Sequence, residues 1–196
     1  MSGDVIYRSK AALLRFIGDN LGTSSPTTLT PVLAQQILTP SSFANFSITN
    51  SATTLYRIIW AAGHTATTAP QVTFVAPDSG KVLVDVTCYV SDDSSSGPGP
   101  NIFFALSTSS DASILTNDSS IVGEEKQIWY SDESDDIVLN FTFFASGLTP
   151  GSSYTWYLFT RRDGSADTNR IFIGSYYPVM EMKVRSVLDS ADIYSI

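Results

Sequence analysis

Reactive side chains are scarce in this chain: it has one cysteine, Cys88, and one histidine, His64, in 196 residues. A single cysteine excludes an intramolecular disulfide and a cysteine-built zinc site, so stability has to come from packing. Charged residues make up only 15%, well below the quarter usual for soluble domains. Lys and Arg number 11 against 19 Asp and Glu, giving a net charge of -8 and a pI near 4.4. Such a chain repels a phosphate backbone, which argues against nucleic acid as a partner. No apolar run approaches the ~18 residues that cross a bilayer, and Met1 to Lys10 is polar and mixed in charge. Neither a membrane span nor a Sec signal is therefore expected.

Catalytic motifs are missing as well. There is no Gly-x-Ser-x-Gly elbow, no Walker loop and no His-Glu-x-x-His helix. His64 lies in the small-residue run Gly63-His64-Thr65-Ala66-Thr67-Thr68 without an evident partner to orient it, and a general base needs one within hydrogen-bond reach. The reading is a non-enzyme with no catalytic residue, no cofactor and no metal. The acidic stretches Asp92-Asp93, Glu124-Glu125 and Asp132-Glu133-Ser134-Asp135-Asp136 match no EF-hand loop and read as solvated.

What the chain has in quantity is small hydroxyl residues and aromatics. Its 29 Ser and 20 Thr supply much of the polar surface, and aromatics reach 12% within 43% hydrophobic residues, enough to form a core. Trp60, Trp129, Trp156, Tyr130, Tyr157, Tyr176 and Tyr177 are expected mostly in the core, with a sugar-stacking platform or an intersubunit core as the alternatives. Asn45, Asn117 and Asn140 each open an Asn-x-Ser/Thr sequon, read as chance matches in the absence of a signal peptide.

Two short helices are expected near the start. Ser9 can cap Lys10 to Asn20, in which Leu13, Leu14, Phe16 and Ile17 recur at helical spacing; Thr30 and Pro31 can open a second through Val32, Leu33, Ile37 and Leu38, ending before Pro40. Neither is long enough to stand alone. Residues 1 to 45 are therefore read as an attachment segment, helical or extended, and residues 46 to 196 as a β-sandwich domain.

From about Phe43 the pattern changes to period two. Val82, Val84, Val86, Cys88 and Val90 alternate with Lys81, Asp85 and Thr87, the mark of a half-buried strand. Further strands are expected at Leu55 to Trp60, Gln71 to Val75, Asn101 to Ser107, Gln127 to Tyr130, Ile137 to Ala145, Tyr154 to Arg161, Arg170 to Ser175 and Val179 to Val187. Breaker-rich loops separate them and no helical crossover intervenes, so the fold expected is a mainly β, antiparallel sandwich of jelly-roll or Ig-like type. The strand Tyr154 to Arg161 is apolar at both alternations, which suggests cover on both faces, one of them from a neighbouring subunit. In Leu148-Thr149-Pro150-Gly151-Ser152-Ser153-Tyr154, a Pro-Gly turn precedes a strand-opening tyrosine. That spacing is similar to the tyrosine corner of immunoglobulin-like and fibronectin type III sandwiches, so Leu148, Pro150, Gly151 and Tyr154 are read as a structural corner.

Phe74-Val75-Ala76-Pro77-Asp78-Ser79-Gly80-Lys81-Val82-Leu83-Val84, the corner, and Phe159-Thr160-Arg161-Arg162 resemble sandwich domains in tailed-bacteriophage virion proteins: head-decoration, head-fibre and minor tail proteins. The opening Ser9 to Asn20, followed by Leu29-Thr30-Pro31, is similar to the short helical pieces that begin many phage appendage proteins. The resemblance implies a structural protein on the virion surface, assembled as a homo-oligomer, most often a trimer, and docked on capsid or tail proteins by its first ~45 residues. The alternative reading is a carbohydrate-binding module that attaches the particle to host surface glycan through exposed aromatics.

Overall fold

In the computed structural model the described residues are 32–38, 44–59, 69–92, 101–128, 137–163, 169–173 and 180–187. They form twelve strands: β1 (Val32–Leu38), β2 (Ala44–Ser47), β3 (Thr54–Arg57), β4 (Gln71–Val75), β5 (Val82–Asp92), β6 (Asn101–Ser107), β7 (Ser113–Leu115), β8 (Ile121–Ile128), β9 (Ile137–Ala145), β10 (Ser153–Asp163), β11 (Asn169–Ile173) and β12 (Met180–Ser186). All named pairings are antiparallel and divide between two six-stranded sheets. In the first sheet β5 has β9 along one side, and β12 then β11 along the other; β1 lies outside β12 and β2 outside β11. In the second, β10 has β6 on one side, and β4 then β3 on the other, with β8 outside β6 and β7 outside β3.

Alternation sends one set of side chains from each sheet into a common core. Val82, Val84, Val86, Cys88 and Val90 of β5 join Met180, Met182 and Val184 of β12 and Leu139 and Phe143 of β9; Phe74, Ile102, Phe104, Leu106, Trp156 and Leu158 meet them from the second sheet. Each large side chain so buried contributes about 1.5–3 kcal/mol. Phe104 packs on Phe141 across the two layers at 4.6 Å between ring centroids.

The expected strands at Gln71–Val75, Asn101–Ser107 and Ile137–Ala145 match β4, β6 and β9 residue for residue. Reading Pro31 to Leu38 as a helix was incorrect: Val32–Leu38 is strand β1, paired with β12. A bulge between Val32 and Ala34 breaks the alternation, so the apolar residues fall at spacings that also suit a helix. Seven residues cannot offset the cost of helix nucleation, whereas the free edge of β12 supplies a complete hydrogen-bonding partner. The described part of the expected attachment segment thus belongs to the sandwich, where Leu33 and Leu38 pack against the core and Val32 and Ile37 remain exposed. Leu13, Leu14, Phe16 and Ile17 lie outside the described residues.

Candidate functional site

The corner is built as a clasp between two loops. The Tyr154 hydroxyl accepts a hydrogen bond from the Thr149 amide at 3.0 Å, and its ring stacks on Phe74 at 5.9 Å. The Leu148 amide donates to the Gly80 carbonyl and the Gly151 amide to the Ala76 carbonyl, each at 3.0 Å. Gly80 has φ +61°, and a Cβ there would lie 2.6 Å from the Leu148 carbonyl oxygen, so this position requires glycine. The clasp fixes Leu148, and with it one wall of the cleft described next.

The two lateral sides of the sandwich close differently. On one, β1 lies beside β4 and the Gln36 side-chain oxygen accepts from the Gln71 amide at 2.7 Å. On the other, β8 approaches β9 through a bulge: Gly123, Glu124 and Glu125 stand opposite the single residue Ala105 of β6. Gly123 takes φ +74°, and a Cβ there would lie 3.2 Å from the Phe144 carbonyl oxygen. Beside this contact opens a cleft of about 440 Å³, with Val122, Glu124, Lys126, Phe143, Phe144 and Leu148 in its lining. Phe143 is buried, whereas Phe144 is 51% exposed. The cleft thus has Phe143, Phe144, Glu124 and Lys126 in its lining and is within the size range of small-ligand pockets.

The outer face of the first sheet is a polar network framed by apolar residues. Across it run the rows Ile37–Glu181–Thr87–Asn140, Gln35–Lys183–Asp85–Thr142 and Val32–Arg185–Leu83–Phe144. Arg185 holds Asp85 with two hydrogen bonds, at 2.5 and 2.9 Å. The Thr142 hydroxyl donates to the same carboxylate at 2.9 Å, the Thr87 hydroxyl to the Asn140 side-chain oxygen at 2.7 Å, and the Gln35 amide to Glu181 at 2.6 Å. Partial burial pushes the Asp85 carboxyl up, but the Arg185 and Thr142 hydrogen bonds and the charges of Arg185 and Lys183 outweigh it, so Asp85 titrates below the ordinary carboxylate range. Arg185 is raised in turn, chiefly by its hydrogen bond to Asp85.

The outer face of the second sheet is covered in part by the chain itself, while Val75 on β4 stays exposed. Leu55, Ala105, Ile114 and Phe159 form a separate buried cluster, with Ile121 and Tyr157 packed against it. Cover for the doubly apolar β10 thus comes from β3, β7 and the start of β8, which corrects the expectation that a neighbouring subunit supplies it. Beside this cluster Arg161 lies over the Phe103 ring at 3.7 Å and binds Glu125 at 2.8 and 3.0 Å. Arg57 lies over the Tyr157 ring at 4.0 Å and donates to the Ser110 carbonyl at 2.7 Å.

Trp156 is a core residue and Tyr157 a member of the second cluster's border. His64, Trp60, Trp129, Tyr130, Tyr176, Tyr177 and Asp132 to Asp136 lie outside the described residues. Among the described residues no group of three or more His, Cys, Asp or Glu is placed to hold a metal ion, and no helix is long and apolar enough to cross a membrane. Cys88 is wholly buried, which pushes its thiol well above the ordinary range. Sequence reasoning missed the cleft, because it depends on a bulge in β8, where only Gln127 to Tyr130 had been expected as strand. Gly123 beside two glutamates was the one signal that could have marked it.

No family model matches the chain, and no curated protein matches it. Among solved structures it is similar to latent PorU from Porphyromonas gingivalis, with 7% identity and a TM-score of 0.30 over 78% of this chain and 14% of that one. It is also similar to a chain of Broad Bean Stain Virus, with 14% identity and a TM-score of 0.28 over 87% and 91%. A chain of infectious bursal disease virus Gx strain gives 10% identity and a TM-score of 0.32 over 84% and 42%. The chain thus spans 14% of the PorU chain's length. At these TM-scores the likenesses carry no argument about function; the class in hand is an antiparallel β-sandwich.

Proposed function

We propose that the chain is a non-enzymatic structural protein of a tailed-bacteriophage virion surface, self-assembling and docking on capsid or tail proteins through its surfaces. The observation that carries this reading is the contrast between the outer faces. One is covered over β10 and β6 by the chain's own residues, while no described segment covers the other, whose polar groups are bonded to one another, as suits a rigid module presented to partners. The -8 charge and the Ser- and Thr-rich surface favour solubility on an exposed particle. Quantitative mass spectrometry of purified particles is the test. A copy number tied to capsid or tail symmetry is expected, and absence from the particle would overturn the reading.

A second reading, carbohydrate binding for host adhesion, is favoured by one specific observation. The cleft between β8 and β9 has half-exposed Phe144 together with Glu124 and Lys126 in its lining, residue types able to stack on and hydrogen-bond a sugar. A glycan array with the full chain and with Phe144→Ala tests it. Signal lost in the variant supports glycan binding at the cleft, and no signal from either removes the reading.

A further inference from the structure

We infer that the open outer face of the first sheet is the surface on which a second copy of this chain docks, face to face about a two-fold axis. The inference rests on the self-assembly reading above and names its surface. Three observations converge on this face. First, Val32, Ile37, Val138 and Phe144, four of the seven exposed large hydrophobic residues among the described residues, all project from it, two on β1 and two on β9 at its opposite borders. Second, its charged side chains nearly balance: Lys81, Lys183 and Arg185 against Asp85 and Glu181. In a chain of net charge -8, two copies repel least where each presents a patch free of excess negative charge. Third, the polar groups at its centre are already bonded within one chain, Arg185 and Thr142 to Asp85, Thr87 to Asn140 and Gln35 to Glu181. Covering them strands few donors or acceptors, so the desolvation that ordinarily opposes burial of a polar surface is small here.

A second copy fits better than a strongly acidic or basic partner, because a nearly balanced face offers little charge complement to either. A face that meets its own copy is isologous and closes as a dimer, rather than the trimer that the phage resemblance implies. Four strands about 4.8 Å apart and seven residues of about 3.3 Å give a face of about 20 by 23 Å. That is smaller than the about 800 Å² per partner of a standard interface, so the dimer is weak and forms at high local concentration, as on a particle.

Sedimentation equilibrium of the full chain, from about 1 to about 300 micromolar, reads the dimer constant. The expected result is a monomer–dimer equilibrium that tightens with added salt, because screening relieves repulsion between two -8 copies while no cross-copy ion pair is lost. Phe144→Asp and, separately, Ile37→Asp should each weaken it about tenfold or more, whereas Leu115→Asp, on β7 of the other sheet, should leave it unchanged. All three side chains are exposed, so each variant is expected to melt like the parent, and only variants that do are compared. A parent that stays monomeric throughout overturns both the surface and the self-assembly reading. Association that ignores Phe144→Asp and Ile37→Asp, responds to Leu115→Asp, closes as a trimer or weakens with salt overturns the surface alone and leaves self-assembly standing.

Discussion

The outer faces of the two sheets have similar sheet geometry and opposite fates. On the second sheet, Phe159 and Ala105 would lie bare to water if β7 and the run into β8 did not fold over them with Ile114 and Ile121. On the first, no described segment returns to cover β5, β9 and β12, and the alternate positions are filled by Asp85, Thr87, Asn140, Thr142, Lys183 and Arg185. Each face is consistent with its surroundings: apolar where the chain supplies a lid, polar and internally bonded where it does not.

If that division is real, equal truncations on the two faces should have unequal costs. Phe159 is wholly buried and Phe144 half exposed. Phe159→Ala should therefore destabilise by about 3–5 kcal/mol, as expected for loss of a buried ring and the cavity left behind, while Phe144→Ala should cost under about 1 kcal/mol. Urea midpoints of the two variants decide the matter. Comparable losses would mean that Phe144 is structural and that the open face is not free.

The ionic groups should show a smaller version of the same contrast. Arg161 and Glu125 keep 11% and 17% of their side-chain surface, and Arg161 is also held by the Phe103 ring and the Ser51 carbonyl. Glu125→Ala leaves a mostly buried guanidinium without its carboxylate and should cost about 2 kcal/mol. Replacing the pair together, Glu125→Leu with Arg161→Met, should recover much of that loss, because no charge is then stranded. On the open face Glu181→Ala should stay within about 0.5 kcal/mol. Chemical denaturation of the four proteins gives the comparison, and a double variant weaker than Glu125→Ala would show that the pair itself stabilises the fold.

The parts legible in the sequence were those governed by local alternation. Val82 to Val90 and Met180 to Val184 alternate without interruption, and both proved to be central strands with the expected side inward. The spacing of Leu148 to Tyr154 was legible as well, because a corner needs only a turn and one hydroxyl within reach of the Thr149 amide. What escaped was set by residues far away in sequence. β1 reads as a helix until β12, about 150 residues later, provides its partner. β7 has only three residues and pairs solely with β3 among the described strands, too short for any period to register. β8 hides behind its own bulge, which puts three consecutive polar or glycine positions where alternation should be. The lid over β10 escaped with β7 and β8, which is why its two apolar faces read as an intersubunit contact.

A pH-dependent effect is expected at Asp85, at the centre of the open face. Its carboxyl is raised by partial burial, but Arg185, Thr142 and the charge of Lys183 lower it further, so its pKa in the folded chain lies below the ordinary value of about 3.9. A carboxyl lowered on folding stabilises the fold while ionised. Its contribution is fully present above the ordinary pKa and is lost as pH falls below about 4 and through the lowered folded-state value. With Arg185 and Asp85 side chains still 26% and 30% exposed, solvent screening holds the contribution to about 1 kcal/mol or less. Asp85→Asn should therefore lower stability slightly at neutral pH, and the gap between parent and variant curves should narrow as pH falls below about 4. Thermal melts from about pH 2 to 7 make the test, since a gap that persists in acid would show that hydrogen-bond geometry rather than ionisation is what Asp85 supplies. Adding salt at neutral pH separates the two in the same way: it narrows the gap if charge is responsible and leaves it unchanged if geometry is.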